Sequence, residues 1–173
     1  RTAGFDVLRL MAEPSAAAVS YGINQNRDQI IMVYDLGGGT FDVSIMKVKG
    51  NKFEAIALDG DSKLGGDDFD EKICSVLYNR IKEDTEINIE ASKEREHMAA
   101  RQKIKEAAEN AKIELSSKEN TSIIIPNILR DYHLDYELSR EEYYHLIEPL
   151  IGKTIEKVKS VLKDANMTSE DID

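Results

Sequence analysis

"VYDLGGGTFDVSI", residues 33–45, sets three consecutive glycines between two strand-like runs, with Asp35 before them and Asp42 after. A tight hairpin turn needs at most two residues with unusual backbone angles. The third glycine and the framing carboxylates therefore call for another explanation. Upstream, "IIMVYDL" (30–36) is a continuous apolar run of strand length, the pattern of a strand buried on both faces. Downstream, "TFDVSIMKV" (40–48) alternates, with Phe41, Val43 and Ile45 on one face and Asp42, Ser44 and Met46 on the other. A turn at "KGN" (49–51) leads into "KFEAIAL" (52–58), so the three runs make an antiparallel meander.

As chemistry, Gly37, Gly38 and Gly39 let the backbone approach a ligand closely. Converging N–H groups at such a tip form a nest suited to phosphate oxygens. Thr40 adds a hydroxyl donor. Asp35, closing a buried strand, can hold water on a magnesium ion that neutralises phosphate. Asp42 points to the same side and can orient a nucleophilic or metal-bound water. Taken alone, the hairpin fits a phosphate loop and a plain turn with incidental acids equally well. Glu13 stands where a buried run meets a helix start before Pro14, so it either points into a cleft or favours the helix dipole. "LGGDDFD" (64–70) offers a second Gly-Gly bend, or simply a helix start capped by Asp67 and Asp68. "GKT" (152–154) is not a P-loop tail, because the first glycine of that signature would fall on Ile147.

The bulk composition narrows the classes. With 173 residues the chain holds one domain or two small subdomains. A net charge of -10 disfavours non-specific nucleic-acid or anionic-membrane binding. No apolar run approaches the ~18 residues of a membrane span. Cys74 is the only cysteine, which excludes a disulfide framework and suits a small core residue in a reducing compartment. His97, His133 and His145 are too scattered to suggest metal ligation.

Elsewhere, "FDVLRLMA" (5–12) reads as a buried strand and "EPSAAAVSYG" (13–22) as a helix ending at Gly22, followed by a polar loop, "NQNRDQ" (24–29). A helix of about five turns carries Phe69, Ile73, Val76, Leu77 and Ile81 on one stripe. "EINIEAS" (86–92) interrupts it, and a long helix from about Glu94 to Leu115 buries Ala100, Ile104, Ala107, Ala108, Ala111 and Leu115. A hairpin follows, "SIIIPNIL" (122–129) with Pro126 at an edge or bulge, and "YHLDYEL" (132–138). Ser139 and Glu142 form a capping-box pattern opening the last helix. That helix turns Leu146, Ile147, Leu150, Ile151, Val158, Val161 and Leu162 inward, with a kink expected at Pro149. The chain begins without methionine and stops at "TSEDID", where Thr168 and Asp171 resemble another capping box, so both ends are expected to be cut from a longer protein. The expected organisation is a strand–helix remnant over 1–24, a meander and helix over 25–85, a helical and hairpin subdomain over 86–165 after a break near 85–93, and a helix start over 166–173.

Together, "AEPSAAAVSYG", "VYDLGGGTFDVSI", "KLGGDDFD" and "KIKEAAENAKIELSS" resemble the nucleotide-binding domain of the heat-shock protein 70 chaperones in order and spacing, through nearly the whole chain. The last segment is closer to the bacterial and organellar DnaK branch, because Ile113 stands where eukaryotic cytosolic members usually carry arginine. The resemblance implies an α/β actin-like ATPase fold (ribonuclease H-like), two lobes around a cleft holding ATP or ADP with Mg2+. On that pattern Gly37, Gly38, Gly39 and Thr40 form the second phosphate loop. Asp35 and Asp42 match acids that arrange magnesium-bound and attacking water, and Glu13 matches the acid helping to place the nucleophile. Gly66 matches a position near the ribose, and Glu109, Lys112 and Ser116 match the adenosine-contacting face of the long helix. Those three fall on one helical stripe. Ser15 replaces the usual threonine, Ala12 an asparagine and Asp67 a glutamate, the last one methylene shorter for a contact across the cleft.

The family's first phosphate loop and catalytic lysine are expected upstream, and its closing adenosine loop downstream. The isolated chain is therefore expected neither to hydrolyse ATP nor to bind it tightly, and the run from Phe5 to Met11 to detach, swap or pair at an edge. The resemblance further implies unfolded polypeptide clients bound through a domain absent here, a J-domain co-chaperone and a nucleotide exchange factor docking on residues 86–165, in the cytoplasm or an organellar matrix. Two other readings compete: a module whose role is exchange-factor docking, and a sugar or acetate kinase of the same superfamily, in which "AENAKIELSS" has no reason to occur.

Overall fold

The antiparallel meander expected from three strand-like runs joined by short turns is present in the computed structural model, which describes residues 2–8, 10–20, 27–50 and 52–173. Strand β1 (Gln29–Leu36) pairs antiparallel with β2 (Phe41–Lys49), which pairs antiparallel with β3 (Lys52–Asp61), giving the order β1-β2-β3. Gly50, at φ 54, makes the second turn. A register shift between Ile45 and Met46 marks a bulge against β3.

Phe41, Val43 and Ile45 are fully buried on one face of β2, and Ser44, Met46 and Val48 are buried on the other. Both faces are covered because helix α1 (Glu13–Ser20) sets Ala18 into a cluster with Ile31, Met46 and Val48. The opposite face carries Tyr34, whose ring meets that of Phe41 at 4.7 Å and whose hydroxyl donates to Thr154 Oγ1 at 2.9 Å. β1 does not have the two-sided burial its apolar run suggests. Only Ile31 is buried, because among the described strands β1 is an edge. Its outer side meets Asp173, whose N–H donates to the Ile30 carbonyl at 2.8 Å while the Ile30 N–H donates to its carboxylate at 2.9 Å.

The chain divides into two compact units, residues 1–63 with 153–173 and residues 64–152. In the second, helix α2 (Gly66–Thr85), helix α3 (Arg95–Leu115), strands β4 (Asn120–Leu129) and β5 (Tyr132–Ser139) and the first half of helix α4 (Arg140–Asp164) enclose one core. Ile73, Leu77 and Ile81 meet Ile104, Leu115, Leu134 and Leu138 there. Burial pushes the Cys74 thiol in this core up to about 12, which makes it an inert packing group.

α2 thus shares its core with α3 and the hairpin, and the segment near 85–93, expected to be a break, is a tethered connection within the same unit. Glu86 leaves α2 in the left-handed region at φ 61, Ile89 is buried, and Arg101 donates to the carbonyls of Ile89 and Ser92 at 2.6 and 2.8 Å. β4 bulges after Ile125, where Asn127 takes φ 48 beside Pro126. Ser139 accepts the Glu142 N–H at 3.0 Å as expected of a cap, while the Glu142 carboxylate takes the Tyr136 hydroxyl.

α4 continues through Pro149, which stands exposed. Its inward residues include Tyr143 and Thr154, whereas Ile151, expected inside, is exposed. Near the end, Asp171 accepts the Thr168 N–H at 2.7 Å, opening a 3-10 turn (Ser169–Asp171). Residues 5–8 form no strand, and Phe5, Leu8 and Leu10 are exposed, as expected of an apolar run without partners. The expected helix end at Gly22, loop residues 24–26, Arg9 of the first run and Asn51 of the turn lie outside the described residues.

Candidate functional site

β1 and β2 are joined by Gly37-Gly38-Gly39-Thr40, closed by the Gly37 N–H donating to the Thr40 carbonyl at 2.9 Å. Four-residue hairpin loops of this length are most often built around a type I turn, which needs no left-handed residue. Accordingly none of the three glycines has positive φ. Nor does packing require them. A Cβ at Gly38 or Gly39 would meet nothing within 4 Å, and one at Gly37 would come only to 3.4 Å from the Thr40 carbonyl. All four residues are exposed. Neither positive φ nor internal contact accounts for Gly38 and Gly39.

Below the tip, Asp35 and Asp42 are direct cross-strand partners with side chains on the same face. Like charges placed opposite each other in a ladder destabilise a sheet. The next strand eases the conflict. Gly60 of β3 stands opposite Asp42, and a Cβ there would lie 2.8 Å from Asp42 Oδ1 and 2.6 Å from the Phe41 carbonyl. The missing side chain gives the Asp42 carboxylate room on the side away from Asp35. Gly60 lies beyond the strand pattern of residues 52–58, which the structure extends to Asp61. A glycine inside a strand is the signal that would have found it.

The same face opens into a cavity of about 430 Å³ lined by Glu13, Ser15, Asp35, Asp42, Ser44 and Leu58, among others. Glu13 reaches it as the first residue of α1. Three of the four residues expected to do chemistry therefore share one cavity, and Thr40 closes the turn above. Asp59, at its margin, binds Lys157 Nζ at 2.9 Å and accepts the Gly60 N–H at 2.7 Å. Lys157 first, then that amide, hold its carboxyl below the ordinary range. Among the described residues no three acids, cysteines or histidines cluster as metal ligands, and Asp35 and Asp42 are a pair of oxygen donors. The donor set instead suits a hard cation that keeps its waters.

In the second unit, Gly66 begins α2, and the Gly65 N–H donates to Asp68 at 2.8 Å as a cap. Asp67 takes no part in that cap and lies 3.6 Å from Lys105. Lys112 of α3 reaches the Gly66 carbonyl at 3.2 Å and the Asp70 carboxylate at 2.7 Å. The structure thus brings Gly66 and Lys112 together. Glu109 and Ser116 stand exposed on the same stripe, with Ser116 Oγ donating to the Lys112 carbonyl at 3.4 Å. Asp70, which sequence reading passed over, is almost wholly buried beside Phe69 and Ile73. An acid inside the apolar stripe of a helix was the available sign of it.

A meander with a glycine tip over paired acids, joined to a second α+β unit, is the α/β arrangement of the actin-like ATPases. The family model described as "Hsp70 protein" matches residues 1–173, and the chain belongs to that family. Its members are chaperones with an ATPase domain that binds ATP or ADP with Mg2+, and they act with unfolded clients and co-chaperones. The sugar or acetate kinase reading has no support beside this match. No helix among the described residues is long and apolar enough to cross a membrane.

Proposed function

We propose that the Gly37–Thr40 tip receives the polyphosphate of ATP and that this chain is part of the ATP-hydrolysing domain of a chaperone. The observation carrying the reading is that Gly38 and Gly39 are constrained by neither φ nor contact. Backbone amides and the Thr40 hydroxyl donate to phosphate oxygens. Asp35 and Asp42 would hold the waters of a magnesium ion, which would supply neutralisation of phosphate charge. Glu13 and Asp42 orient the attacking water, and a water proton passes toward these carboxylates. The water oxygen bonds to the γ-phosphorus as the bridging P–O bond breaks and leaves its electron pair on ADP. Gly66, Glu109, Lys112 and Ser116 take the adenosine.

Hydrolysis then governs binding and release of unfolded polypeptide by a further domain. A J-domain co-chaperone stimulates it, and an exchange factor docks on residues 86–165, in the cytoplasm or an organellar matrix of a stress-responsive, DnaK-like system. The isolated chain is inactive.

The test is Gly38→Ala in the full-length protein. Its melting temperature should match wild type, because the added methyl meets open space. ATP affinity should fall by about tenfold or more, the equivalent of one lost charge-assisted hydrogen bond. Unchanged affinity would reduce the tip to a turn. In the same protein, Thr40→Ala should slow single-turnover hydrolysis by ~10-fold while exchange-factor docking persists. Wild-type hydrolysis would remove Thr40 from the site.

A further inference from the structure

Ser44 is an anomaly of the central strand. It is 4 % exposed, and its hydroxyl has no hydrogen-bond partner although it lines the cavity shared with Glu13, Asp35 and Asp42. A buried hydroxyl left unpaired costs about 1–3 kcal/mol, and alanine or valine at this β position would avoid that cost. Ser44 lies two positions past Asp42 on the same face, with Val33 and Leu58 as its apolar cross-strand partners. Residues two apart on a strand are separated by roughly 6.6 Å. The Ser44 hydroxyl makes no direct hydrogen bond to Asp42, and a spacing of this order can be spanned by one bridging water. The cavity has the volume for it.

We infer that Ser44 is a positioning residue for ATP hydrolysis: its hydroxyl donates to a cavity water that in turn donates to the Asp42 carboxylate, fixing the orientation in which Asp42 addresses the attacking water. The inference rests on the phosphate-loop reading above. Gly60 gives the Asp42 carboxylate room on the far side of the ladder from Asp35, and a single tether from below keeps it from rotating out of alignment. Ser44 itself touches no phosphate.

The experiment compares Ser44→Ala, Ser44→Thr and Asp42→Asn with wild type in the full-length protein, measuring melting temperature, ATP dissociation constant and single-turnover hydrolysis. Ser44→Ala should melt at or above the wild-type temperature, since it removes an unpaired polar group. It should bind ATP as wild type does, yet hydrolyse it about tenfold more slowly, the scale of a misaligned group. Ser44→Thr keeps the hydroxyl and should recover most of the rate. Two results would overturn the inference alone: wild-type hydrolysis in Ser44→Ala while Asp42→Asn is slow, or equal losses of rate and melting temperature in both Ser44 variants. A wild-type protein that fails to hydrolyse ATP, with Asp42→Asn indistinguishable from it, overturns the phosphate-loop reading as well.

Discussion

Lys112→Ala is expected to destabilise the second unit by about 3–5 kcal/mol, the cost of leaving a buried charge without its partner. The Asp70 side chain is 5 % exposed and its carboxylate lies 2.7 Å from Lys112 Nζ. Removing the ammonium leaves that buried carboxylate without its cation. Replacing both partners by apolar residues, as in Asp70→Leu with Lys112→Met, should restore most of the stability, because a buried ion pair and a well-packed apolar pair are often of similar worth. The double variant also separates two roles for Lys112. If the lysine faces adenosine, ATP affinity should fall in both the single and the double variant, while the urea midpoint falls only in the single. A single-variant loss below about 1 kcal/mol would place the pair in the solvent-exposed class.

Gly60→Ala should be the most damaging one-carbon change in the meander. The new methyl would stand 2.6 Å from the Phe41 carbonyl, a backbone atom of the central strand that cannot swing aside. Relief requires β3 to shift against β2, and overpacking of this kind costs about 1–3 kcal/mol. It would also displace the Asp42 carboxylate, 2.8 Å from the same methyl, toward Asp35. Urea unfolding should show the loss of stability, and single-turnover hydrolysis should fall by more than ~10-fold as Asp42 moves. A variant with wild-type stability would show that the strand spacing at Gly60 is looser than described.

The meander, the α3 stripe and the cap at Ser139 were legible because each is written in local periodicity or a short side-chain-to-backbone contact. The glycine tip announced itself by exceeding what a turn needs. What stayed hidden depends on neighbours far along the chain. An apolar run such as 30–36 reads alike whether a strand is central or at an edge, and β1 is at an edge. Membership of α2 in the second core follows from Ile73 and Leu77 meeting Ile104 and Leu134, a pairing that α2's own stripe does not specify. Gly60 and Ser44 matter through β2–β3 register, which a bulge between Ile45 and Met46 shifts. Asp70 is conspicuous only once Lys112 is seen beside it.

The division of the chain has a bearing on how the protein is made. Residues 64–152 are continuous, so this module can condense as soon as it has left the ribosome. The other unit is discontinuous. Tyr34 and Asp59 wait for Thr154 and Lys157, partners 120 and 98 positions away. Long-range closure of this sort is slow. During translation, then, the nascent meander waits for its last side-chain partners, and a protein of this family passes through its own vulnerable stage before it can attend to others.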